Sequence, residues 1–357
     1  MEDSVLPHYS TLLGRVLLLG NFLSAHGGSR GVCEDLALRL RGRGWEVSVA
    51  SSQPQRVLRL LDMCLTVWRA RKRYDVAQID VFSGPAFLWA EAVVGVLRLL
   101  GKPSVLTLHG GNLPRFAQRW PGRVRRLLAS AAAVTTPSRY LLEQMAPYRS
   151  GIILLPNALD LSQYHPRPLA QPVYPRLIWL RAFHRIYNPV LAAQVIDRLC
   201  HEWPDIHLTM VGPDKGDGIF QEFERFVADR GLGAHVTCVG GVPKAEVSAW
   251  LQRGDIFLNT TNVDNTPVSV IEAMACGRCV VSTNVGGIPY LLEHETDALL
   301  VPPDDPDAMA DAVRRTLTEP ELAENLSRNA RRKAEQFDWE TILPQWERLL
   351  TEVAQRG

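Results

Sequence analysis

The stretch from Asp255 to Gly287, DIFLNTTNVDNTPVSVIEAMACGRCVVSTNVGG, constrains the fold of this chain more than any other. Ile256, Phe257 and Leu258 form a short apolar run of the kind that makes a buried strand. Polar residues follow, and Pro267 then opens a segment with apolar groups at Val268, Ile271, Met274 and Ala275. Proline suits a first helical turn, where its missing N–H has no intrahelical partner in any case. Thr266 is placed to cap that helix, Gly277 to stop it, and Val280–Val281 to begin another buried strand. The unit reads strand, polar loop, helix, strand. A helix N-terminus near Asn265–Thr266 offers free N–H groups and partial positive charge, a seat for a phosphate. Asp264 stands just before that terminus, and Glu272 follows eight positions later, about two helical turns on. Two carboxylates so placed suit a ligand whose diphosphate is flanked by hydroxylated groups. Read without that ligand, they are a capping Asp and a solvated helix Glu.

The remainder repeats the alternation. Val16–Leu19 reads as a first strand, and FLSAHGGSRG leads into an apolar stripe at Val32, Leu36 and Leu40. Strand, Gly-rich turn and helix open a doubly wound domain. The turn lacks G-x-G-x-x-G, so the fingerprint of a dinucleotide oxidoreductase is absent. It does hold Gly27–Gly28 directly before a helix, where bare backbone can approach a phosphate. Residues 57–73 read as a helix with Leu58, Leu61, Leu65 and Trp68 on one face, closed by Arg69, Arg71, Lys72 and Arg73. Val105–Leu108 is a strand that runs into His109-Gly110-Gly111; a histidine there faces the crevice in which doubly wound folds bind ligands, or else is a packed structural residue. HPRPLAQPVYP, residues 165–175, reads as a Pro-rich linker. The expected division is residues 1–170, residues 171–337, and a final helix over 338–357 that packs back on the first domain.

Length and charge bound the rest. The 357 residues suffice for two domains, and 46% hydrophobic with 22% charged residues is the balance of a globular protein. No apolar run approaches the roughly eighteen residues of a membrane span, and the acidic start lacks the order of a signal peptide, so a cytoplasmic protein is expected. The six cysteines offer one C-x-x-C, Cys276 and Cys279, with no second pair to complete a four-sulfur zinc site. Residues 1–170 hold 21 Lys and Arg against 11 Asp and Glu, whereas residues 171–357 hold 18 against 27. Within the basic half, Arg115, Arg119, Arg123, Arg125 and Arg126 interleave with Phe116, Trp120 and Val124. This segment suggests attachment to anionic lipid headgroups, or a solvated face; no nucleic-acid motif accompanies it.

These motifs resemble glycosyltransferase family 4, whose donor motif is an acidic pair with seven residues between, followed by EAMACG-like residues. The pair here is Asp264 and Glu272, with Asp where the family more often has Glu. PNALD, with Ala158, is similar to the family's hinge-side PNGVD. The resemblance implies an α/β GT-B fold, two facing Rossmann-like domains with a cleft between them, and retaining transfer of a sugar from a nucleotide diphosphate to an acceptor hydroxyl. It further implies that Glu272 meets the ribose and Asp264 the donor sugar, with His109 against that sugar. Arg181 and the N–H groups near Asn265–Thr266 would hold the diphosphate, with Gly27–Gly28 closing over it. The family's Lys six positions after the Arg is missing: residue 187 is Tyr, and Arg185 or His184 is the replacement within reach. The loop supplies no D-x-D pair for a metal, so metal independence is expected; no tightly bound cofactor is expected, and a UDP-sugar donor is favoured over GDP- or ADP-sugars. The acceptor is open, a lipid-linked one included, in cell-surface polysaccharide or glycolipid synthesis. Two other readings are a nucleotide-sugar-binding subunit of a membrane-associated assembly and a GT-B sugar-nucleotide epimerase.

Overall fold

A computed structural model describes residues 13–23, 31–166 and 173–356. The first six strands are β1 (Arg15–Leu19), β2 (Glu46–Ala50), β3 (Val76–Val81), β4 (Ser104–Leu108), β5 (Ala133–Thr136) and β6 (Ile153–Leu154). They form one parallel sheet in the order β2-β1-β3-β4-β5-β6. Its central strands are covered on both faces, which is why they read as continuous apolar runs rather than alternating ones. The connecting helices are α1 (Val32–Gly42), α2 (Arg56–Arg69), α3 (Phe87–Leu99), α4 (Leu113–Arg119), α5 (Pro121–Ala129) and α6 (Arg139–Met145). Because strand order reverses at β1 and crossovers are right-handed, α1 lies on one face and α2, α3 and α5 on the other. Their buried side chains divide accordingly: Leu36 and Leu40 join one cluster, Met63, Val67, Phe87 and Leu127 another.

The second sheet is built from β7 (Arg176–Leu180), β8 (His207–Val211), β9 (Val236–Gly240), β10 (Ile256–Asn259), β11 (Cys279–Thr283) and β12 (Leu299–Val301), in the order β12-β11-β10-β7-β8-β9 and again parallel. Helices α7 (Pro189–Leu199), α8 (Ile219–Asp229), α9 (Val247–Leu251), α10 (Val268–Ala275), α11 (Ile288–Leu291), α12 (Pro306–Thr318) and α13 (Pro320–Ala334) accompany it. The last helix, α14 (Trp339–Gln355), leaves this domain and packs Trp339, Ile342, Trp346 and Leu350 against Val16, Leu36 and Trp45 of the first. The outward and return crossings lie side by side: Leu159 N donates to Phe337 O at 2.8 Å, and Trp339 N to Leu159 O at 3.0 Å. Ala158 belongs to a first-domain cluster, whereas Leu159 and Tyr164 already pack in the second. Among the described residues no helix is long and apolar enough to cross a membrane.

Two local expectations change. α10 starts at Val268 with an extended Pro267 as its cap residue and no side-chain capping bond, so Thr266 lies one position too early to cap it. The helix expected over 57–73 ends at Arg69, and its Leu58–Leu61–Leu65–Trp68 face points to solvent. The inward face holds Arg59, Met63 and Val67. Arg59 fixes that rotation by donating to Gln53 O (2.8 Å) and Asn21 Oδ1 (2.7 Å) and stacking on Trp89.

At the base of β10, Asp255 and Arg278 are fully buried. Arg278 donates to the carbonyls of Gly254 and Cys276, both at 3.0 Å, while Asp255 also accepts from Arg176 Nε at 2.7 Å. Breaking a buried ion pair from one side leaves an uncompensated charge. Asp255→Ala is therefore expected to lower stability by about 3–5 kcal/mol, read from urea unfolding. Asp307→Ala, which removes an exposed partner of Arg198, should leave the midpoint nearly unmoved.

Candidate active site

Doubly wound sheets bind ligands beyond the carboxyl ends of the strands, where the strand order reverses. In the second domain that point lies between β7 and β10, and Arg181 is the residue that follows β7. Its guanidinium is largely buried, lies 4.5 Å from the Tyr187 ring centre, and is in ionic contact with the Asp264 carboxylate. Burial lowers its proton affinity, with Tyr187 and Glu272 opposing. Beyond that ion pair, Arg181 Nε and Nη2 and Asp264 Oδ2 have no hydrogen-bond partner among the described residues. The position at which the sequence lacks a lysine is thus filled by a ring stacked on the neighbouring cation. The two replacements considered for it are engaged elsewhere. Arg185 binds Glu222 at the surface (3.0 Å for one of its two bonds), and His184 Nδ1 accepts from Ile186 N at 3.1 Å.

The loop carrying Asp264 is tightly held. Asp264 Oδ1 accepts from Asn265 N at 2.8 Å, so one N–H expected to face a phosphate is already occupied. Gly287 N donates to Asp264 O at 3.1 Å. A Cβ on Gly286 would lie 2.2 Å from Asp264 O, and one on Gly287 only 1.7 Å from Asn265 O. Only bare backbone passes here, and this accounts for the Gly–Gly pair. Thr266 and Gly287 border an open groove of about 440 Å³ that also reaches Ser138, Tyr290 and Lys333. On the first turn of α10, Ser269 Oγ is buried without a partner.

Glu272, one turn further along α10, is also buried and also paired. It accepts from the Tyr164 hydroxyl at 2.7 Å and forms an ion pair with Lys244, on the short turn after β9. Burial, then the Glu272 charge, pushes the Tyr164 phenol well above its ordinary range. Each acid of the pair therefore has its own cation: Arg181 for Asp264, Lys244 for Glu272. The sequence reading missed Lys244, Tyr164 and Ser269. For Ser269 a signal existed, its place one helical turn before Glu272; for the other two, contacts across 28 and 108 residues left none.

From the first domain, His109 follows β4 and donates its Nε2–H to Asp80 Oδ1 at 3.1 Å while stacking on Phe82. Gln78 holds the same carboxylate oxygen at 2.8 Å and Thr107 at 2.8 Å. Because a carboxylate only accepts, this contact leaves Nδ1 of a neutral His109 as the ring's acceptor. Gly111 comes close to the opposite domain: a Cβ there would sit 3.2 Å from Val263 Cγ1 and 3.4 Å from Asp264 O. Ser138 Oγ donates to Asn265 Oδ1 across the same gap. Arg181 and Asp264 thus meet where Gly111, two residues after His109, approaches from the first domain, and Asn265 is bonded to Ser138 across the same gap. Glu272 lies deeper on α10, Thr266 borders the separate groove with Tyr290 and Lys333, and Gly27 and Gly28 lie outside the described residues. Among the described residues no group of three His, Cys, Asp or Glu side chains is placed to hold a metal ion. Cys276 and Cys279 are buried, their thiols pushed up to about 11 and about 12 mainly by desolvation.

Residues 26–163 match the model of Glycosyltransferase Family 4, and residues 167–333 that of Glycosyl transferases group 1. A D-inositol 3-phosphate glycosyltransferase of Paenarthrobacter aurescens is 26% identical over 71% of this chain. The match spans 65% of that relative, under two thirds of its length. Sucrose-phosphate synthase from Thermosynechococcus elongatus superposes with a TM-score of 0.79 at 19% identity, covering 96% of this chain and 99% of that one. Anabaena HepE, solved in complex with UDP and glucose, gives a TM-score of 0.75 at 18% identity, covering 95% and 100%. At such identities the likeness speaks for the fold.

The crossing of backbones beneath Asp264 yields a test. Gly287→Ala must displace the Asn265 carbonyl, and overpacking of that kind costs about 1–3 kcal/mol. A fall of several degrees in Tm is expected, whereas Gly122→Ala, with open space around it, should leave Tm unchanged or slightly higher.

Proposed function

The chain belongs to the GT-B glycosyltransferases of family 4, and from that premise we propose that it moves a sugar from a nucleotide diphosphate to an acceptor hydroxyl with retention at the anomeric carbon. The observation that carries this reading is the pairing of Arg181 with Asp264 and of Lys244 with Glu272 at the strand-order reversal of the second sheet. In the proposal, the diphosphate accepts from Arg181, whose Nε is buried and unpartnered, and from the first turn of α10. The ribose hydroxyls replace Lys244 or Tyr164 on Glu272. Lys244, released, supplies the second positive charge that the missing lysine at 187 would have given. The sugar lies between Asp264 and His109, whose Nδ1 accepts from one of its hydroxyls. Charge that develops on the departing phosphate then meets a guanidinium already stripped of water, which needs no reorganisation during the reaction.

UDP is the favoured base carrier, supported by the UDP-bound HepE neighbour. Metal independence is part of the same proposal, supported by the lack of a D-x-D pair in the loop between β10 and α10. The acceptor is proposed to belong to cell-surface polysaccharide or glycolipid synthesis, met at an anionic membrane to which the arginines of α4 and α5 contribute. A second reading, a binding subunit without turnover, draws on Tyr187 in place of lysine.

The test begins with thermal shift. UDP at a hundred times its dissociation constant adds about 2.7 kcal/mol, a rise of several degrees, and EDTA should leave that rise intact. Glu272→Gln should weaken UDP by about tenfold or more, in line with a lost charged hydrogen bond. Arg181→Met should lower turnover of a UDP-sugar by about 10²–10³. Full UDP affinity in Glu272→Gln would overturn the donor assignment, and measurable hydrolysis of a UDP-sugar by the wild-type chain would dispose of the binding-subunit reading.

A further inference from the structure

The outward face of α2 is apolar where a helix on a sheet is normally polar. Leu58, Leu61, Leu65 and Trp68 are 46%, 53%, 47% and 53% exposed, and Val57 beside them is 72% exposed. At spacings of three and four residues they form one stripe along the whole helix, about 20 Å long. The inward face, by contrast, buries Met63, Val67 and Arg59, with Cys64 partly buried beside them. On the neighbouring helix α3, Leu88 is likewise exposed, and Trp120, between α4 and α5, lies on the same side of the sheet.

The charge around this stripe is one-sided. Residues 54–130 hold 13 Lys and Arg against four acids, Asp62, Asp75, Asp80 and Glu91. Three of those acids are engaged: Asp75 with Arg15, Asp80 with His109 in the cleft, and Glu91 with Arg123. At the stripe's C-terminal end Arg71 lies 4.9 Å over the Trp68 ring, followed by Lys72 and Arg73, and Arg119 lies 5.7 Å over Trp120. Indole rings with guanidinium groups at their faces are suited to the boundary between headgroups and acyl chains.

We propose that this face of the first domain, with the α2 stripe as its inserted element, docks on an anionic lipid surface. An amphipathic helix lying in the interface plane buries its apolar side chains at the acyl boundary while its basic neighbours meet the lipid phosphates. A second copy of the chain fits poorly, because an isologous contact would set arginine against arginine. Nucleic acid fits poorly because the stripe is mainly aliphatic, with no row of rings on which bases would stack. The inference extends to α2 the membrane reading proposed from α4 and α5, and it is independent of the donor site.

The test is sedimentation of the whole chain with phosphatidylcholine vesicles, with and without about 30% phosphatidylglycerol, at about 0.15 M salt. The wild-type chain should pellet with the anionic vesicles alone. Leu61→Glu/Leu65→Glu, which alters exposed positions, should lower that partition at least tenfold with Tm and the UDP shift unchanged. Reversal of Arg71, Lys72 and Arg73 to glutamate should lower it by roughly a hundredfold. The proposal is overturned if the wild-type chain stays in the supernatant with both vesicles, or if the double variant pellets as the wild type does. It is also overturned if sedimentation velocity shows a dimer that the double variant converts to monomer. Vesicle binding without any UDP shift would sink the donor reading and leave this one standing.

Discussion

A guanidinium taken out of water at the end of β7 sets the terms for the rest of this molecule. Desolvating Arg181 is unfavourable unless an anion and a polarizable surface replace the lost hydration. Asp264 and the Tyr187 ring do so. Keeping Asp264 there requires its loop to lie directly against the Gly286–Gly287 backbone. The Arg181 backbone is equally confined, since a Cβ on Gly212 would come within 1.6 Å of its carbonyl oxygen. Several glycines and one tyrosine that look unrelated in the sequence are thus consequences of holding one charge in place.

The same logic runs across the cleft. Asp264 is approached from the first domain by the Gly110–Gly111 turn, and Asn265 by Ser138. Further along the interface the Tyr290 hydroxyl donates to Glu143 at 2.8 Å. The two walls therefore touch through the very loop that bears the acid. A movement of one domain relative to the other would bear on Asp264 and Asn265 directly.

Much of the fold was legible because it rests on local signals. Buried parallel strands announce themselves as short apolar runs, as in Val16–Leu19 and Ile256–Leu258, and the helices between them carry their own stripes. The placement of Arg181, Asp264 and Glu272 at strand ends and on α10 followed from the same pattern. What escaped depends on distance or on rotation. Lys244 and Tyr164 reach Glu272 through folding of remote segments, and no spacing reports that. Arg185 and Lys244 are equal as cations in a sequence; only the surface pairing of Arg185 with Glu222 separates them. In α2 the period was readable and its direction was not. Which side of a stripe faces inward was decided by Arg59, a residue whose type argues for the outside.

The side-by-side crossings at Leu159 and Asp338 have a mechanical consequence. One covalent tether between two bodies behaves as a swivel, free to bend and to twist. Two tethers bonded to each other behave as a flexure: they yield to folding about the line that joins them and resist torsion. Were the second domain to open from the first, it would do so much as a page turns on its binding, with the two walls kept in register.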